Sequence, residues 1–274
     1  MKRIAVLLTC FNRKEKTLAC LRALYSCILQ KDYELNVFLV DDCSTDGTAN
    51  AVLQDYSKVN IIKGTGSLYW NRGMYLAWTT AISKGDYDFY LWLNDDTLLY
   101  ENAIEELLMC NCHYGDDAIV CGAICSEISG RFTYGGRKMN GEEIIPNNFI
   151  QTCQFINGNC VLINKQACST VGLLDPIYPH SIGDYEYGLR AIKKGIPIIT
   201  TRSYVGECER NESLPKWCYV DVPLRERFKE LYSPLGNSHP RYYFIFEYKY
   251  HGLFQALKHY CSIHLRALMP FLWK

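Results

Sequence analysis

Leu39-Val40-Asp41-Asp42-Cys43-Ser44-Thr45-Asp46-Gly47 is an apolar run that ends in acidic residues and a turn. Trp92-Leu93-Asn94-Asp95-Asp96-Thr97 repeats that plan further along the chain. In an open α/β sheet, ligands bind beyond the carboxyl ends of the strands, where loops carry the chemistry. Carboxylates placed there suit the polar groups of a nucleotide and a hard, oxygen-liking divalent cation. Asp, Ser, Asn and Gly also dominate ordinary turns, so either cluster alone reads as a turn. The two together, with the features that follow, point to a catalytic site.

Apolar periodicity predicts strands over 4–9, 35–40, 59–63 and 89–93, and helices over 14–27, 48–56 and 71–83. The first helix turns Leu18, Leu21, Ala23 and Leu24 inward. Further on come a helix over 101–111, strands over 118–124, 160–164 and 197–201, and helices over 165–171 and 184–194. Such alternation implies a parallel, right-handed α/β sheet. Between 126 and 154 the pattern loosens around several glycines and Pro146, which predicts a hairpin and loop over the site.

At 274 residues the chain suits one compact domain or two fused subdomains. Its 29 basic and 29 acidic residues balance, so no global field draws nucleic acid. The 14 cysteines include no Cys-x-x-Cys pair, and several sit inside apolar runs where a thiol acts as a small hydrophobe. Reduced thiols in a cytoplasmic protein are therefore expected. The apolar run after Met1-Lys2-Arg3 is too short for a signal-peptide core or a membrane span, so export is not expected.

A third constellation is His180-Ser181-Ile182-Gly183-Asp184-Tyr185-Glu186. Asp184 and Glu186 open a helix, where the positive end of the dipole favours carboxylates; helix capping alone would also account for them. In Gly64-Thr65-Gly66-Ser67-Leu68-Tyr69-Trp70-Asn71-Arg72-Gly73, Gly66 permits close backbone approach, Arg72 suits phosphate, and Tyr69 and Trp70 suit stacking on a base or sugar. A strand-to-helix turn with aromatic packing reads equally well.

The ordered set of motifs resembles the family 2 glycosyltransferases. Thr9-Cys10-Phe11-Asn12-Arg13 is similar to the family's first loop, and Val40-Asp41-Asp42-Cys43-Ser44-Thr45-Asp46-Gly47 to its nucleotide-binding motif. Asn94-Asp95-Asp96 stands at its Asp-x-Asp metal motif and Gly183-Asp184-Tyr185-Glu186 at its Glu-Asp acceptor motif. The resemblance covers about residues 3–205, and Gly172-Leu173-Leu174-Asp175 also fits it. It implies a GT-A fold: a Rossmann-like mixed sheet flanked by helices. A nucleotide-binding half would span 1–97 and an acceptor half 98–205, followed by a C-terminal helical tail over 206–274.

The same resemblance implies an inverting, nucleotide-sugar-dependent enzyme of polysaccharide or glycolipid biosynthesis, hexosyl- or rhamnosyltransferase-like. Asp41 or Asp42 would bind the base or ribose, with Thr9, Asn12, Arg13 and Ser44 nearby. Asp96, with Asp95, would hold Mg²⁺ or Mn²⁺ on the donor diphosphate, and Asp184 would be the general base. Two positions depart from the pattern. Asn94 replaces a carboxylate, and Gly183 replaces the Glu before the base, so Glu186 competes with Asp184. Matching Leu189-Arg190 to the family favours Asp184.

The tail carries no acidic residue after Glu247, while Lys249, Lys258, Arg266 and Lys274 punctuate Leu253, Phe254, Leu257, Leu265, Leu268, Met269, Phe271 and Trp273. That pattern suits a helix lying on the cytoplasmic face of an anionic membrane, where a lipid-linked saccharide acceptor would be met. The alternatives are packing on the enzyme's own core or on a second copy in a homodimer. Two rival functions stand beside the transferase. Asp95-Asp96-Thr97 faintly echoes a haloacid-dehalogenase-like phosphohydrolase loop, although Asn94 holds the nucleophile's position. An inactive nucleotide-binding protein would not need Asp96 and Asp184.

Overall fold

In β1 (Lys2–Cys10), Ile4, Val6 and Leu8 alternate with Ala5 and Leu7, and all five are fully buried. Side chains of a strand point alternately to opposite faces, so β1 has a core on each side. On one side Ile4, Val6 and Leu8 pack with Leu21, Leu24, Val52 and Leu107. On the other, Ala5 and Leu7 pack with Met74, Trp78, Val161 and Tyr187. A sheet covered on both faces is the result.

The computed structural model describes residues 1–210, 214–236 and 238–272. After β1 come α1 (Lys14–Ser26), β2 (Tyr33–Asp41), α2 (Thr48–Asp55), β3 (Asn60–Lys63), α3 (Tyr69–Lys84), β4 (Phe89–Leu93) and β5 (Leu98–Leu99). They are followed by α4 (Ala103–His113), β6 (Ile119–Cys125), β7 (Phe132–Tyr134), β8 (Gln151–Thr152), β9 (Cys160–Asn164), α5 (Lys165–Val171), α6 (Gly183–Lys193) and β10 (Ile198–Glu207). The chain then forms α7 (Leu224–Leu231), α8 (Pro240–His251) and α9 (Leu253–Leu268).

Strand order is β3-β2-β1-β4-β9-β6-β10-β5, with β7 on β6 and β8 on β10. The first four strands are parallel, as alternation implies. The wholly parallel expectation fails at β9, which runs antiparallel to both β4 and β6. A parallel neighbour needs a crossover, usually a helix. The chain instead returns from β6 through the irregular stretch that includes β7 and β8, and β9 enters from the opposite end. The sheet is mixed, as the family resemblance implies. β10 continues to Glu207, past the expected boundary at 205.

The tail is helical and docked. Trp217, Leu231, Ile263 and Ala267 form one small core, and Phe246 of α8 packs with Tyr178, Ile182 and Leu189 beside α6. Trp273 and Lys274 of the expected tail lie outside the described residues. All 14 cysteines are free, most of them buried.

Candidate active site

The acidic clusters follow the carboxyl ends of β2 and β4, on either side of β1. Loops after these three strands and after β3 form a cavity of about 360 Å³ lined by Thr9, Arg13, Asp42, Gly66, Trp70 and Asp96, among others. The loops after β1 and β2 are zipped together. The Asn12 backbone N–H donates to Ser44 Oγ at 2.9 Å, and the Thr45 N–H to Asn12 Oδ1 at 2.7 Å. Asn12 and Ser44 thus shape the rim. Asp41 accepts from the Ser44 N–H at 2.8 Å and does not line the cavity.

Asp42 does line it, with its carboxylate already engaged. Oδ1 accepts from the Gly66 N–H at 2.6 Å, and Oδ2 from the N–H groups of Leu68 and Tyr69 at 2.8 and 3.2 Å. These bonds fold the Gly64–Tyr69 turn and satisfy orphan donors at the start of α3. Gly66, at φ +84, supplies the left-handed turn. Arg72 lies away from the cavity, donating to the carbonyls of Pro176 and Ile177.

Arg13 joins the first loop to the second cluster. Its guanidinium donates to Asp95 Oδ1 at 2.9 Å and to Asp96 Oδ2. Thr17 Oγ1 adds a bond to Asp95 Oδ2 at 3.3 Å. Burial raises the Asp95 pKa to about 7, with Arg13 pulling it down and Asp96 pushing it up. Asn94 Oδ1 accepts from the Trp70 indole at 2.7 Å. Asn94 therefore orients Trp70, and Asp95 is held by Arg13 and Thr17. Asp96 is the more exposed of the two carboxylates. Among the described residues no three His, Cys, Asp or Glu side chains form a metal cage. One carboxylate completed by substrate phosphates is a normal setting for a hard divalent ion, so the residues fit such an ion only together with a diphosphate.

A second cavity, of about 840 Å³, meets the first across Trp70, Asn94, Tyr134, Asn159 and His180, which line both. Asp184 lines this larger cavity, where Oδ2 accepts from the Gly158 N–H at 3.1 Å and Oδ1 from the Tyr185 N–H at 2.9 Å. Burial raises its pKa to about 6 against those two bonds. Ile182, two residues before it, has φ +76, a strained conformation for a β-branched residue. A Cβ on Gly183 would come within 1.9 Å of Asn71 Oδ1, so a glutamate there would have to displace the buried Asn71 amide.

Glu186 is fully buried and faces elsewhere. It accepts from Arg190, from Lys249 Nζ at 2.7 Å and from the Tyr250 hydroxyl at 2.8 Å. Burial alone would raise its pKa, but these donors hold it below the ordinary value.

Several lining residues carry no strong sequence signal. Asn157-Gly158-Asn159 precedes β9 and supplies both the Asp184 contact and the junction of the cavities. The Asn-Gly-Asn turn was the one signal that could have found it. Tyr134 and Arg137 come from the loose 126–154 stretch, which does reach the site.

A mixed α/β sheet with an acidic cleft at its strand ends is the architecture of the GT-A fold. Residues 5–172 match the model of "Glycosyl transferase family 2", and the chain belongs to that family. Among solved structures, TarS 1-349 from S. aureus aligns with TM-score 0.54 and 13% identity, covering 98% of this chain and 81% of that one. The complex of TarS 1-349 with UDP-GlcNAc gives TM-score 0.56 and 12% identity over 97% and 81%. Mannosyltransferase PcManGT from Pyrobaculum calidifontis, in complex with GDP-Man and Mn2+, gives TM-score 0.56 and 14% identity over 97% and 75%. At these identities the likeness carries the fold. Among curated proteins, none matches the chain by sequence.

Proposed function

We propose that the protein transfers a sugar, with inversion, from a nucleoside-diphosphate donor in the smaller cavity to a hydroxyl of a saccharide or lipid-linked acceptor in the larger one. The observation that carries this reading is the meeting of the two cavities. Arg13 and the Asp95–Asp96 pair stand on one side of the junction and Asp184 on the other. The solved relatives hold UDP-GlcNAc in one case and GDP-Man with Mn2+ in the other, which supports a nucleotide-sugar donor and leaves its base open.

Donor binding falls to the first cavity, where Thr9 and the Asp42-held turn approach the nucleotide. Mg²⁺ or Mn²⁺, when bound at Asp96 with the diphosphate, offsets charge on the leaving group. Arg13 lies beside that charge and supplies a second cation. Asp184 takes the proton of the acceptor hydroxyl as its oxygen bonds to the anomeric carbon and the bond to the phosphate oxygen breaks. A base with pKa near 6 is ionised at neutral pH yet basic enough to help. Glu186 is the positioning anion that anchors α8 to α6. A phosphohydrolase reading lacks support, because the nucleophile's position is an amide bound to Trp70.

Thermal melting with UDP, dTDP and GDP, each with Mn²⁺ and again with EDTA, tests the donor site. Stabilisation by one nucleotide that EDTA abolishes is the expected result. No shift with any of the three would remove the transferase reading.

A further inference from the structure

The outward face of α9 is apolar. Phe254, Leu257, Cys261, Leu265 and Leu268 recur at spacings of three and four, which places them on one side of a helix. All five are exposed, Phe254 by 82%. The opposite side of α9, with Ala256, Ile263 and Ala267, is the side that packs on the protein. The stripe runs roughly 20 Å along the helix, and Tyr248 of α8 and Tyr260 of α9 are exposed as well. Core packing therefore does not account for these residues.

Charge identifies what covers them. Over α8 and α9 the one carboxylate is Glu247, which is 4% exposed and faces His259 at 3.0 Å. Arg241 and Lys258 are exposed on the same hairpin. A second copy applying this hairpin would set its cations against cations with no exposed carboxylate of α8 or α9 to pair them, whereas a bilayer of anionic lipid supplies the missing charge. No described helix is long and apolar enough to cross a membrane, so the helix lies on the surface.

We infer that the α8–α9 hairpin docks the enzyme onto an anionic membrane, with the Phe254–Leu268 stripe entering the headgroup–acyl boundary. The inference rests on the transferase reading for its consequence. Tyr243 of α8 and Trp217 beside α9 line the larger cavity, so the hairpin that would dock is also part of that cavity's wall.

Co-flotation of the full chain with vesicles of phosphatidylcholine, with and without phosphatidylglycerol, tests it. The chain is expected to float with phosphatidylglycerol vesicles and much less with phosphatidylcholine alone. Phe254→Ser/Leu257→Ser/Leu265→Ser should lower the partition by about tenfold or more, with unchanged circular dichroism. Should that variant misfold, Lys258→Glu is expected to weaken flotation on anionic vesicles alone. Failure of the parent chain to float with either vesicle overturns the inference. So does a dimer, seen by light scattering, that the triple variant abolishes without any lipid binding. Flotation without any nucleotide shift would uphold the surface and remove the transferase reading instead.

Discussion

The Trp70 indole donates to Asn94 Oδ1 at 2.7 Å, and that bond accounts for an amide at the first position of the acidic cluster. A neutral oxygen holds the ring without adding a third carboxylate beside Asp95 and Asp96. Gly158 fixes the ring from the other side, since a Cβ there would come within 2.2 Å of it. Trp70→Phe and Asn94→Ala should each lower kcat/KM by about five- to tenfold, the worth of one such hydrogen bond. The double variant should lose little more than either, because both remove the same bond. Steady-state kinetics of the four proteins reads this coupling, and additive losses would show that Asn94 acts elsewhere.

Arg13 spans two neighbouring carboxylates. In Arg13→Gln they face each other without a cation, and Asp95 is nearly sealed from water. A loss of about 1–3 kcal/mol is expected at about pH 8. Burial already raises Asp95 to about 7, so the fold favours its protonated form, and that stability is lost as pH rises through 7. Without Arg13 the pKa rises further, and the variant's deficit should shrink at about pH 5, where Asp95 needs no partner. Mn²⁺ should recover part of the loss at the higher pH. Melting curves at both pH values, with and without Mn²⁺, check this; an equal deficit at both would exclude the charge explanation.

The part of the cleft built on β1, β2 and β4 was the legible part, for a physical reason. Each of β1, β2 and β4 is a buried apolar run followed at once by polar residues, so sequence order and spatial order coincide. β9 is equally apolar, but an apolar run carries no direction, and its antiparallel pairing depended on the path of residues 126–159. Both departures from the family pattern became intelligible only through distant neighbours: Asn94 through Trp70, and Gly183 through Asn71. The family resemblance offered two candidate bases, Asp184 and Glu186. Their separation depended on α8, whose Lys249 and Tyr250 approach Glu186 from more than sixty positions away.

Glu186 should behave as a structural anion. Glu186→Gln leaves the cations of Arg190 and Lys249 short of their partner, at a cost of about 3–5 kcal/mol, typical for one half of a buried ion pair. Its pKa is depressed from 4.5 by those donors, so the stability it contributes is present above that value. It is lost as pH falls through the lower folded value, and the difference between variant and parent should narrow in acid. Urea melts across that range measure the narrowing. The folded fraction of the variant should keep the parent's pH–rate profile; a displaced profile would make Glu186 the base.

Asp184→Asn should trade activity for stability. Burial lifts Asp184 to about 6, well above its unfolded 3.8, so the folded state disfavours the ionised carboxylate. That cost is absent below the unfolded value and is fully developed above about 6. Asparagine carries no such cost, although it loses one acceptor for the Gly158 or Tyr185 N–H. A net gain of about 1 kcal/mol is expected near pH 8 and none in acid. Turnover should fall by about 10²–10⁴ as the positioned proton acceptor disappears. In the parent enzyme kcat/KM should climb with pH through an apparent pKa near 6, the limb that the substitution removes. A variant as fast as the parent would falsify Asp184 as the base. A stability difference that stays flat with pH would mean that its carboxylate titrates as an exposed one does.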